Sequence, residues 1–372
     1  MRAGAWAVVD LGAIRENVAW LRSVASPATV LAVVKADGYG HGSVRVAEAA
    51  LAAGAEGLGV ALVAEGAVLR SAGLRSPILL LSEPFPEEID EMISLDLEPM
   101  VYSSARIADI GDAALRRGAN VAVHLKIDTG MHRVGARPED AVALASLIQR
   151  HPALRLAAVA THLAVADEPR NPYSERQLDR IDGVLRALDH AGIDVPHVHT
   201  ANSAGTIAHG GARRDLVRVG IAMYGIAPSA GMVVPGDGLR PALSLRARVS
   251  YVKQVDAGEA LSYGLRYRFN RTSTVATIPI GYADGVPRRL HDHGGEVLVN
   301  GRRRPIAGAV TMDQLMVDCG DDDGVTRGDE VVLIGRQGDD EITATEWAEK
   351  LGTIAYEIVC GISARVPRRY LG

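Results

Sequence analysis

Short runs of β-branched and aliphatic residues recur along the first two thirds of the chain, and between them apolar residues return every three or four positions. The runs at 30–34, 57–60, 78–81, 98–102, 121–127, 157–162, 197–200 and 216–222 predict eight strands. The stretches 43–53, 64–72, 103–117, 138–149 and 174–191 have helical spacing, several with serine or proline near their starts. Strands joined by helical crossovers are parallel, so the pattern predicts an α/β fold in which a (β/α)8 barrel of the TIM type fills the N-terminal part.

After Tyr224 the texture changes. Residues 228–238 are dense in glycine and proline, which suits a connection. Beyond it, 244–255 alternates, 274–280, 296–299, 315–318 and 330–334 read as strands, Asn300-Gly301 reads as a tight turn, and 345–351 reads as a helix. The expected organisation is a barrel over 11–235 and a mostly β C-terminal domain over 236–372, with the strand in residues 1–10 packed on the latter.

A chain of 372 residues can bury two substantial cores. Its formal net charge of -5 carries no basic stripe, so no nucleic-acid partner is expected, and Arg302-Arg303-Arg304 and Arg368-Arg369 read as solvated loops. The two cysteines, Cys319 and Cys360, lack C-x-x-C spacing, which supports neither a disulfide framework nor a metal site. His197-x-His199 would point both rings to one strand face, as barrel lining, and His124 joins it in that role. No run reaches the ~18 apolar residues needed to span a bilayer. Residues 1–10 lack a long apolar leader segment, so the expected location is the cytoplasm.

On a barrel, functional groups gather just past the C-terminal ends of the strands. Lys35 follows the first strand. A lysine leaving an apolar strand loses its proton easily, because low-dielectric surroundings disfavour the ammonium, and the neutral amine can form a Schiff base. It can equally snorkel to the surface, and residues 33–42 do not by composition choose between the two. Arg133 lies after the fifth strand, His162 ends the sixth, Asn202-Ser203 follow the seventh, and Arg218 to Ile221 occupy the eighth. The Ser203 hydroxyl and a closely approachable N–H at Gly220 suit the phosphate site that barrels build from their last two loops.

The string Val33-Val34-Lys35-Ala36-Asp37-Gly38-Tyr39-Gly40-His41-Gly42 resembles the cofactor-lysine signature of the alanine racemases. The resemblance continues through 126–135, Thr161-His162-Leu163-Ala164 with Asp167, Ala201-Asn202-Ser203, 218–225, Leu261-Ser262-Tyr263-Gly264, Gly281-Tyr282-Ala283-Asp284-Gly285 and Met312-Asp313-Gln314. It implies pyridoxal 5′-phosphate (PLP) as cofactor, a small amino-acid substrate, and interconversion of L- and D-alanine that supplies peptidoglycan. By the same resemblance Lys35 holds PLP and serves the D face, while Tyr263 serves the L face from the partner subunit of a homodimer. Tyr39, Ser203, Gly220, Ile221 and Tyr356 are implied at the phosphate, and Arg218 at the pyridine nitrogen. His162 is implied between Tyr263 and Arg218. Arg133 and the backbone of Met312 are implied at the substrate carboxylate, and Lys126 matches a lysine that many members carbamylate. Tyr282, with Tyr356, Arg288 and Asp167, would gate and line the approach.

Two departures stand out. Gly308-Ala309-Val310-Thr311 replaces a common Gly-Arg-Val-Cys or Ser, which removes a cation expected in the access channel, and Gly38 stands where alanine is common. The alternatives in the same chemistry are a broad-specificity or serine racemase and a related PLP decarboxylase. The decarboxylases usually set an acidic residue against the pyridine nitrogen, where this chain offers Arg218.

Overall fold

The computed structural model describes residues 4–232, 234 and 238–372. They form two units: Ala13–Gly38 with Ser43–Arg240, and Tyr39–Gly42 with Pro241–Gly372 and the N-terminal strand β1 (Ala5–Asp10). The expected boundary between Pro235 and Gly236 lies outside the described residues.

The first unit is a nearly closed barrel. Its strands are β2 (Thr29–Val33), β3 (Gly57–Val60), β4 (Ile78–Leu80), β5 (Glu98–Val101), β6 (Val121–Lys126), β7 (Leu154–Ala160), β8 (Val198–His199) and β9 (Leu216–Val219). They are parallel and follow chain order around the ring, with β9 returning to pair with β2. Two bonds carry the ring across from β8 to β9, Asp215 N–H to Val198 O (3.1 Å) and Arg218 N–H to Ala201 O (3.0 Å). Strands covered by helices outside and side chains inside read as nearly continuous apolar runs, as β2 and β3 do. The buried polar residues His124, Lys126, His199 and Arg218 interrupt that rule on β6, β8 and β9.

Several expected bounds shift. The eighth run is a strand only to Val219; a 3-10 turn, Ile221–Tyr224, follows Gly220. The seventh is the two-residue β8, so His197 lies outside it and is exposed, whereas His199 is fully buried. The pair therefore does not share a strand face. Helices Leu11–Ala25 and Ile89–Ser94 were not expected.

In the second unit β1 pairs with β10 (Leu243–Arg248) and, in parallel, with the last strand of the chain, Arg368–Leu371. The alternating stretch 244–255 is not one strand: β10 and β11 (Tyr251–Val255) belong to different sheets. The arginine clusters are not solvated loops either. Arg302–Pro305 is a strand in which Arg303 meets Glu346 (2.8 Å), Asp340 (3.0 Å) and Glu296 (3.2 Å), and Arg304 pairs with Asp322. Arg368 donates to the carbonyls of Gly40, Ile362, Ser363 and Val366, and Arg369 lies 4.4 Å over the Trp6 ring. An arginine has five donors and a planar cation, so partners distant in sequence can hold it where local polarity suggests solvent. Among the described residues, no helix is long and apolar enough to cross a membrane.

Candidate active site

Lys35 leaves the C-terminal end of β2 through Val34 and enters a left-handed turn. Ala36 (φ 52°), Asp37 (50°), Gly38 (62°) and Tyr39 (52°) all have positive φ. Each non-glycine residue in that region costs roughly 1–2 kcal/mol, so the turn persists only because surrounding bonds hold it. Glu65 accepts from Ala36 N–H (2.6 Å) as well as Ala61 N–H (2.8 Å), Asp37 accepts from Ser43 N–H (2.8 Å), and Gly38 N–H returns to Val34 O (2.8 Å). A Cβ on Gly38 would stand 3.2 Å from Ser43 Cα, so glycine rather than alanine suits this turn. Glu65 is a part of the site that sequence reasoning missed.

Around the same mouth the barrel gathers cations. Lys126 is buried at the end of β6, and its amine falls to about 8, first through burial and then through the charges of Arg218, Arg133 and Lys35. Asp128 does not pair with it. That carboxylate accepts from Gly130 N–H (2.9 Å) and His132 N–H (3.1 Å) instead. Arg133 is exposed in the loop after β6 and has no ion pair among the described residues. Arg218 is 4% exposed, and burial followed by repulsion from Arg133 lowers its guanidinium to about 10.

The Arg218 guanidinium is held from two sides. Its Nη1 meets His199 Nδ1 (2.7 Å) and donates to His199 O (3.0 Å). Its Nη2 donates to Thr161 O (2.8 Å) and Thr200 O (3.2 Å) and meets His162 Nδ1 at 3.3 Å. Among the described residues its Nε–H has no acceptor. Burial, then the charges of Arg218, Lys126, Arg133 and Lys35, pushes His162 well below the usual imidazole range. His162 is therefore neutral, with Nδ1 as acceptor and its hydrogen on Nε2.

The last two loops meet as expected. Ser203 Oγ accepts from Gly220 N–H (2.9 Å) and weakly from Ala222 N–H (3.4 Å). The helix cap is Asn202, whose side chain accepts from Gly205 N–H (2.9 Å), so Ser203 is not the capping residue. Ile221 opens the 3-10 turn with an N–H that has no acceptor within that turn. Asp167 is half-buried, and its carbonyl accepts from Ser229 Oγ (3.1 Å).

The second unit carries the other expected residues. Tyr39 is buried, with its ring centroid 6.2 Å from that of Tyr356. Tyr263 is 72% exposed beside Ser262, whose Oγ donates to Ala309 O (2.8 Å). Tyr282 N–H donates to Thr311 O (2.9 Å), and Met312 O accepts from Ala283 N–H (3.1 Å). Tyr263, Met312 and Tyr282 are thus three exposed large side chains on neighbouring segments. Ala309 is buried and Thr311 Oγ1 closes a turn onto Gln314 O (2.8 Å), while Arg288 is exposed.

Known proteins match the chain nearly from end to end. Residues 9–228 match the family model of the alanine racemase N-terminal domain and residues 242–370 that of the alanine racemase C-terminal domain. An alanine racemase of Symbiobacterium thermophilum is 47% identical over 371 residues, 99% of this chain and 97% of its own length. One of Thermobifida fusca is 46% identical, over 100% of this chain and 99% of that one. The crystal structure of alanine racemase from D-cycloserine-producing Streptomyces lavendulae superposes with a TM-score of 0.94 at 40% identity, covering 100% of this chain and 98% of that one. With both halves matched and relatives aligned nearly end to end, the chain belongs to the alanine racemase family.

Proposed function

We propose that the chain interconverts L- and D-alanine with PLP held at Lys35, in a cytoplasmic homodimer whose D-alanine serves peptidoglycan synthesis. The observation that carries this proposal is the cationic barrel mouth. Lys35, Arg133 and Arg218 lie close enough to Lys126 to weaken its hold on a proton, Arg133 does the same to Arg218, and among the described residues the Arg218 Nε–H has no acceptor. Such a site attracts a phosphate and a carboxylate and offers a donor to a ring nitrogen.

PLP supplies electron withdrawal from the substrate's Cα, which makes the α-proton removable. Everything else falls to the protein. Arg133, exposed and without an ion pair among the described residues, would bind the substrate carboxylate, joined by the backbone N–H of Met312 of the partner subunit. Ser203, Gly220 and Ile221 would hold the phosphate at the barrel's last loops. Arg218, with a pKa of about 10, keeps its proton at neutral pH, and its Nε–H would be the donor to the pyridine nitrogen. A guanidinium that only donates would leave that nitrogen unprotonated, which would limit electron withdrawal and favour return of the proton to Cα. An acidic partner there would favour loss of CO2, so Arg218 speaks against the decarboxylase alternative.

Inversion needs a proton carrier on each face of the flattened substrate. Lys35 Nζ serves one, and the phenol of Tyr263 of the partner subunit serves the other. Neutral His162 directs its Nε2–H outward from Arg218, as a donor that stabilises a phenolate. Tyr282, Arg288 and Asp167 narrow and line the approach, which favours a small side chain. Incubating the PLP-loaded protein with L-alanine and following D-alanine by a stereospecific oxidase tests this directly. Absence of D-alanine from a fully loaded dimer rejects it.

Lys126 provides a separate prediction. An amine titrating near 8 is largely neutral just above that pH and adds to CO2, releasing a proton and leaving a carbamate anion that can orient Arg133. Protein equilibrated with 13C-bicarbonate at mildly alkaline pH should show a carbamate resonance that is missing in Lys126→Ala and fades on acidification. Because the folded value lies below the ordinary lysine value of 10.5, the unfolded chain binds more protons between the two. Stability contributed by this group therefore rises with pH from about 8 to 10.5.

A further inference from the structure

From Arg218 a single file of hydrogen bonds runs down the inside of the barrel, away from the mouth. After the 2.7 Å contact to His199 Nδ1, His199 Nε2 lies 2.9 Å from His124 Nδ1, and His124 Nε2 lies 3.0 Å from Glu98 Oε2. The two imidazoles meet edge to face, with centroids 5.1 Å apart and planes at 70°. Arg218 and His199 lie toward the C-terminal ends of β9 and β8, His124 is in mid β6, and Glu98 is the first residue of β5. At that opposite end Glu98 lines a cavity of about 450 Å³ with Arg155, Asp96 and Asn120.

Chemistry gives every bond in the file one direction. A guanidinium only donates, so His199 Nδ1 must be a bare lone pair and its hydrogen sits on Nε2. That hydrogen requires a lone pair on His124 Nδ1, which puts the His124 hydrogen on Nε2, facing the carboxylate. A second proton on either imidazole would set two N–H groups against each other, so both rings are neutral. His199 is accordingly held far below the usual imidazole range by burial and by Arg218. Burial alone would raise Glu98. The bond from His124 and the charges of Arg155 and Arg70 outweigh it and keep the carboxylate ionised.

We infer that Glu98, His124 and His199 are positioning residues, a one-way hydrogen-bond file that clamps the Arg218 guanidinium and leaves its Nε–H as the donor offered to the cofactor ring. The file ends on an anion, so its dipoles align to stabilise the buried cation. Its catalytic consequence rests on the proposal that Arg218 faces the ring nitrogen.

Nitrogen-15 spectra of the imidazoles in cofactor-free protein should show His199 and His124 both as neutral Nε2–H tautomers. An Nδ1–H tautomer at either ring overturns the inference. In PLP-loaded protein, His124→Phe cuts the file, and kcat should fall about 10-fold, the order found when a partner of a held active-site group is removed. KM for alanine should stay within about twofold, because Arg133 still binds the carboxylate. His124→Gln offers an acceptor to His199 and a donor to Glu98, and should recover most of the loss. If His124→Phe leaves kcat intact, or if kcat and melting temperature fall together and glutamine restores neither, the inference fails. An inactive wild-type protein would instead reject the proposed function, while the spectra, taken without cofactor, still decide the file.

Discussion

Lys35→Ala should lower alanine interconversion by at least about 10³-fold, because on the proposed mechanism one substitution removes both the cofactor's covalent anchor and the proton carrier of one face. Neither loss can be covered locally. Lys126 is buried at the end of β6, and the left-handed turn after Lys35 is tied down by Glu65 and Asp37. Cofactor binding should weaken but persist, because Ser203, Gly220 and Arg218 are untouched. Borohydride reduction followed by peptide mapping should place the cofactor's mass on the peptide containing Lys35 in the wild type and nowhere in the variant. Substantial racemisation by Lys35→Ala, or reduction trapping another lysine, would remove this residue from the mechanism.

Tyr263→Phe should cost about 10²–10⁴-fold, the range for loss of a positioned acid or base. The loss should be one-sided. Exchange of the α-proton with deuterated solvent should continue from D-alanine, served by Lys35, and nearly stop from L-alanine. The side chain is 72% exposed, so the change should leave the fold of a single chain intact. If each site takes its phenol from the partner, refolding Lys35→Ala together with Tyr263→Phe restores activity. Random pairing makes half the dimers mixed with one intact site of two, about a quarter of wild-type activity in a symmetric dimer. No recovery in a verified mixed dimer would exclude sharing.

The parts legible in sequence are those encoded by local pattern. Period-2 and period-3.6 apolar spacing marked all eight barrel strands to within a few residues. Barrel geometry then brought Lys35, Arg133, His162, Ser203 and Arg218 to one end, because consecutive parallel strands present their C-terminal ends together. Less legible were helices Leu11–Ala25 and Ile89–Ser94 and the break between β10 and β11, where a single alternating pattern serves two different sheets. The arginine runs at 302–304 and 368–369 misled for a related reason. Local polarity cannot reveal that Glu346, Asp340 or a distant carbonyl is waiting.

By itself the sequence determined the strand order of the barrel through its apolar spacing, and its resemblance to the alanine racemases pointed to the family and to the roles proposed for Lys35, Arg218 and Tyr263. Only the tertiary structure decided their protonation and their company. The file from Arg218 to Glu98 joins residues 98, 124, 199 and 218, from four strands, and no spacing along the chain announces it. Lys126 titrates near 8 because burial and three neighbouring cations act on it at once. Charge state depends on desolvation and on groups close in space, and both exist only after the chain has closed its barrel.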